Sequence, residues 1–300
     1  MTLPLVVGFA LLVWLLRGVV VHGWWLQLAC FAVASYLMVE LNNSHALLRI
    51  RSRMVSSVFI ILSCMASSLF QYRDSTIMAM AMAAFLLILL HSYQNSQAAG
   101  TVYYAFVMYG VCTCAFAPMI YLLPVWWLLM ATQLQAQNGR LILASLLGVT
   151  TPYWLSLPVL IIRRDFSPLR DHVQELVALM PLDEDYRAMT VNEVIVLVFT
   201  VLLLGVSIMN FWQKSFEDKI RIRLIYGLFT VMSVLVIVCL LLQPHTYQWL
   251  MPVIIVLSSP LIAHYFTLTE GKMTNIVFMV TAALAVLITI FNLWMPSLNF

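Results

Sequence analysis

Charge is what this sequence has least of. Of 300 residues only 12 are acidic and 15 are Lys or Arg, 9% together, while 63% are hydrophobic. At a mean hydropathy of +0.99 a water-soluble globule is excluded, because its core would leave too few polar residues to cover the exterior. The net charge of +3 is small and no basic patch interleaves with aromatics, which argues against a nucleic-acid partner. Cysteine is scarce too. Cys30, Cys64, Cys112, Cys114 and Cys239 all fall in apolar runs and read as small hydrophobes, not as a disulfide framework. Cys112 and Cys114 point in different directions on a helix and lack a second ligand pair, so no metal site is expected. There is no P-loop, no dinucleotide-binding glycine fingerprint, no His-Glu-x-x-His and no Gly-x-Ser-x-Gly. No cofactor is expected.

What is present is a series of long apolar runs. Crossing a bilayer as helix takes about 20 such residues, and no alternating strand pattern competes. The expected fold class is therefore all-α: a polytopic transmembrane bundle of about 11 spans (10–12) with one amphipathic interfacial helix. The spans are expected at 3–20, 23–40, 54–71, 75–91, 101–117, 118–131, 141–162, 191–210, 223–242, 247–266 and 274–294. The first stretch, 1–162, would hold about seven of them and the last, 191–300, about four. The segment 118–131 is short, and Pro118 and Pro124 break it, so it reads as a thin hairpin arm, a re-entrant piece or half of one broken helix. The N-terminus lacks a positive leader region and reads as a retained span. Trp24, Trp25, Trp126, Trp127, Trp154, Trp212, Trp249 and Trp294 fall near span ends, as an interfacial aromatic belt would place them.

Ionisable residues inside spans mark transport or proton paths, and here they are nearly missing. Glu40 and His91 lie at span ends, Glu193 completes a Thr190–Glu193 capping box, and His264 reads as a hydrogen-bonded core histidine. An ion-coupled transporter is disfavoured. Counting basic residues in alternate loops puts Arg49, Arg51, Arg53, Arg140, Lys214, Lys219, Arg221, Arg223 and Lys272 on one side. Arg17, Arg73, Arg163, Arg164, Arg170 and Arg187 fall on the other. The richer side is expected to be cytoplasmic, with the N-terminus inside and the C-terminus outside. Arg49, Arg51 and Arg53 read as snorkelling anchors, and Lys214–Asp218 and Glu217–Arg221 as i,i+4 pairs on a projecting helix.

Between the two stretches lies the only long polar interval, 163–190, with 6 of the 12 acids and 4 of the 15 basic residues. Residues 167–181 read as a helix lying flat at the interface: Ser167 and Pro168 start it, Pro181 stops it, and Leu169, Val173, Leu176, Val177 and Met180 form one apolar stripe. The bland reading is a plinth joining two bundles. The sharper one is a site where Arg163, Arg164 and Arg170 hold a headgroup phosphate while His172, Asp171 or Glu175 supplies the base.

Asn42 and Asn43 followed by RIRSRMVSSVFIIL, the LLILLHSYQ span end, the YYAFVMYGVCTCAFAPMIYLLPVWWLLM double segment and LLGVTTPYWL resemble a family of multi-span inner-membrane proteins of Bacteroidota that has no characterised activity. The resemblance covers about residues 40–155. It implies a diderm inner membrane, with the periplasm outside, and supplies no catalytic residue. Three functions stay open: an envelope-biogenesis protein handling a lipid-linked glycan at the periplasmic face, a non-enzymatic scaffold bound to other membrane subunits, or an uncoupled transporter or flippase with a cavity among residues 101–162. The bilayer itself is the one partner that all three share.

Overall fold

The computed structural model describes residues 2–50, 52–164, 166–177, 189–268 and 272–294, and among these there are helices and no strands. They are α1 (Thr2–Leu16), α2 (Val19–His22), α3 (Trp25–His45), α4 (Met54–Met65), α5 (Arg73–Leu89), α6 (Ala99–Ala115), α7 (Leu123–Thr132), α8 (Gly139–Arg163), α9 (Ser167–Val177), α10 (Val191–Lys214), α11 (Ile220–Leu242), α12 (Tyr247–Leu268) and α13 (Lys272–Trp294).

All eleven apolar runs are helical, but seven are long and apolar enough to cross a membrane: Trp25–His45, Arg73–Ser92, Gly139–Arg163, Val191–Glu217, Ile220–Leu242, Pro244–Thr267 and Thr274–Trp294. Leu3–Leu16, Met54–Met65, Ala99–Ala115 and Ala117–Thr132 are shorter. Local chemistry explains the shortening. Gly18 takes φ +81°, a left-handed conformation that ends α1 soon after Leu16. The 54–71 run breaks at Ala66 into α4 and a 3-10 turn, Ser67–Gln71. Pro118 and Pro124 divide 117–132 into a 3-10 turn, Ala117–Leu122, and α7.

The helix ends meet in two groups. At one, Arg49 bonds Asp218, His45 bonds the Leu87 carbonyl, and the Gln94 N–H donates to Leu134 O. At the other, Arg17 donates to Ser67 and to the Asn292 carbonyl, Ser75 to Gln248 O, and Phe116 stacks on Trp249 at 5.1 Å. Between them α12 is the axis: 89% of its membrane-length stretch is buried, and it packs on α4, α5, α10 and α11. The stretches before and after the polar interval thus share one core. Within residues 101–162, α6 and α8 cross closely. A Cβ on Gly110 would lie 2.6 Å from Val149 O, and one on Gly148 would lie 2.6 Å from Tyr103 O. Only glycine lets α6 and α8 approach so far.

Candidate functional site

The expected site lies where α8 ends and α9 begins. Arg164 turns the chain with φ 53°, closing α8. Eleven residues of α9 follow, tied down at two points: the Tyr121 hydroxyl donates to the Leu176 carbonyl, and Tyr153 OH and His172 Nε2 are 3.0 Å apart. Tyr153 projects from α8, so His172 is tied to that helix. Burial holds the His172 imidazole below its ordinary value, and Glu175 pulls weakly the other way. A neutral ring at neutral pH can accept a proton. Arg163, Arg164, Arg170, Asp171 and Glu175 are exposed, and among the described residues no hydrogen bond or ion pair joins them. The structure therefore anchors His172, and among the described residues the three arginines make no ion pair. Met180, Pro181 and Arg187 lie outside the described residues.

The more highly organised polar group is at the opposite end, and the sequence reading missed it. The expected i,i+4 pairs do not form, because the helix stops at Lys214, turns through the 3-10 residues Ser215–Glu217, and leaves Asp218 extended before α11. Asp218 turns inward instead. Its side chain is 1% exposed, with Arg49 Nε at 2.7 Å on one oxygen and His264 Nε2 at 2.9 Å on the other. Glu217 reaches Arg49 at 3.3 Å, not Arg221. Arg49 is thus an ion-pair partner and not a lone anchor. His264 is a hydrogen-bonded core histidine, as its lone position suggests, set edge-on against Tyr226 at 4.7 Å. Nearby, Arg221 Nη2 lies 3.2 Å from His45 Nδ1 and its guanidinium sits 5.4 Å from the Tyr93 ring centroid. His45 and His91 both approach Leu87 O, at 3.0 and 2.7 Å, so each uses one ring nitrogen as a donor there. Asn42 staples the same corner, donating to Ser52 O and accepting from the Leu48 N–H. One signal could have revealed the group: a histidine inside a span requires a partner, and Asp218 sits at the neighbouring helix junction.

Among the described residues no group of three His, Cys, Asp or Glu side chains could hold a metal. Between α1, α4, α10, α12 and α13 runs a cleft of about 210 Å³ whose walls, Leu62, Phe199, Phe266 and Ala285 among them, are apolar apart from Ser57 and Thr281. It offers an acyl chain a place and offers a reaction nothing. Comparison with protein-family models, curated proteins and solved structures finds no match to this chain.

Proposed function

We propose that this chain is a multi-pass protein of a bacterial inner membrane that handles a lipid-linked, phosphate-bearing glycan during envelope biogenesis, at the face where α9 lies. In this reading all eleven apolar helices cross, the basic end carrying Arg49, Lys219 and Arg221 is cytoplasmic, and α9 is periplasmic, in keeping with the excess of basic residues at the first end. One observation carries the reading: the Tyr153–His172 contact at 3.0 Å ties down an imidazole on a short polar stretch of chain that also holds three exposed arginines, none of them in an ion pair with a described carboxylate. Arg163, Arg164 and Arg170 would receive a phosphate, since a guanidinium fork matches phosphate oxygens. His172 would take the proton of an attacking hydroxyl, with Asp171 or Glu175 next along the helix.

The test is single replacement, Arg163→Ala, Arg164→Ala and His172→Ala, with surface glycan as the readout. The reading expects glycan to fall while protein level in the membrane holds. Unchanged glycan at a normal protein level sinks it. A scaffold is the second reading. It is favoured by α8, of whose span only 18% is buried and which leaves Trp154, Leu155 and Ile162 uncovered. A stoichiometric protein partner after mild-detergent purification supports that reading; a lone chain carrying lipid-linked sugar supports the first. A flippase, the third reading, needs a cavity among residues 101–162, where Gly110 and Gly148 bring α6 and α8 close together.

A further inference from the structure

We infer that the corner between α10 and α11 is a binding site for the headgroup of an anionic phospholipid, centred on Arg221. Lys214, Lys219, Arg221 and Arg223 crowd ten residues of chain, and the two acids among them, Glu217 and Asp218, are both taken up by Arg49 and His264. No described carboxylate forms an ion pair with any of the four cations. Glu40, the acid of α3, accepts from Ser44 at 2.5 Å. Arg221 is nevertheless held in place, hydrogen-bonded to the buried His45 and set against Tyr93, so its guanidinium is ordered without an ion pair to any described carboxylate. Arg223 Nε is buried with no acceptor. α11 adds its own positive pole: no side chain caps it and no acid stands in its first turn, where Arg221 sits. Cations at that end of a helix repel the dipole unless an anion joins them.

The surroundings decide which anion. Trp212, Phe216 and Ile220 are 70%, 73% and 65% exposed at the same corner. Water would make that exposure unfavourable, whereas the boundary between acyl chains and headgroups accommodates it, with the aromatic rings at headgroup depth. A ligand there must carry its negative charge at the membrane surface and its apolar part below, which describes a phosphodiester lipid and not a soluble phosphate. The inference holds whichever leaflet this corner faces, and so stands apart from the proposed function.

The experiment places the full chain in nanodiscs of phosphatidylcholine mixed with phosphatidylglycerol and counts the lipid retained on the protein by native mass spectrometry. Wild type should retain phosphatidylglycerol preferentially. Arg221→Gln should lower that retention about fivefold, Arg221→Lys less, and Arg140→Gln, at the start of α8, not at all. If Arg221→Gln does not fold, the exposed Lys219→Gln carries the same expectation at a smaller loss. Equal retention in wild type and these variants overturns the inference. So does an equal loss in Arg140→Gln, which would signify diffuse attraction, and so does displacement of the lipid by inorganic phosphate alone.

Discussion

A carboxylate with 1% of its side chain exposed is tolerable only because both its oxygens are used, one by Arg49 and one by His264. Asp218→Asn keeps the shape and removes the charge, so Arg49 is left with Glu217 alone as counterion and His264 loses its carboxylate partner. Unfolding in detergent should be easier by about 2–3 kcal/mol, less than for a fully enclosed pair because Arg49 keeps part of its hydration. Glu217→Gln should change stability by under about 1 kcal/mol, since both of its charges are wet. A thermal melt of the two variants checks the order, and equal shifts would refute it. His172 sets a second expectation. Its folded-state value lies below the ordinary one, so the folded chain binds fewer protons than the unfolded chain in the interval between them, and stability there rises with pH. The stabilisation from neutral His172 is complete above about pH 6.5 and is lost as pH falls below it. Hydrogen exchange along α9, corrected for intrinsic rates, should therefore quicken on acidification in wild type and not in His172→Gln. His172 stands out in the sequence because it sits in a polar stretch. Helical spacing along KSFEDKIRIR matches Asp218 with Lys214 instead, because its pairing with Arg49, 169 positions away, is a matter of tertiary approach that local spacing does not encode.

At the scale of the element, helix existence was legible and helix length was not. Apolar runs of about 20 residues announce themselves. Their interruption depends on whether a glycine adopts positive φ, as Gly18 does, or on whether a proline such as Pro152 is absorbed inside α8 while Pro118 starts a 3-10 turn. The capping box at Thr190 and Glu193 was readable because it is wholly local, and it forms as expected. Glycine usage divides by context in the same way. Gly205, inside α10, has nothing within 4 Å of the place a Cβ would occupy, whereas Gly148 faces the α6 backbone. Gly205→Ala should stabilise by about 0.5–1 kcal/mol through the lower entropy of the unfolded chain. Gly148→Ala should destabilise by about 1–3 kcal/mol through overpacking. Melting temperatures that move in the same direction would contradict this account of the α6–α8 crossing.

At the scale of the whole molecule, the membrane class followed from composition alone, while the polar connection at Asp218 and the apolar cleft beside α13 required the fold. The two groups of helix ends give a direct expectation for the eleven-crossing reading. Cysteines replacing Ser96 and Lys219 in an otherwise cysteine-free chain should react with an impermeant maleimide from one side of the membrane only, and cysteines replacing Gln174 and Gln243 from the other only. Labelling of both sets from one side would end that reading. The enclosure of α12 bears further on how the protein is made. Each of the four helices surrounding it, α4, α5, α10 and α11, precedes it along the chain. A ribosome delivering this chain to the membrane thus presents α12 when these four helices have already emerged. Its serines at 258 and 259 and its two prolines, at 252 and 260, pass into a waiting protein sheath and need not face lipid alone.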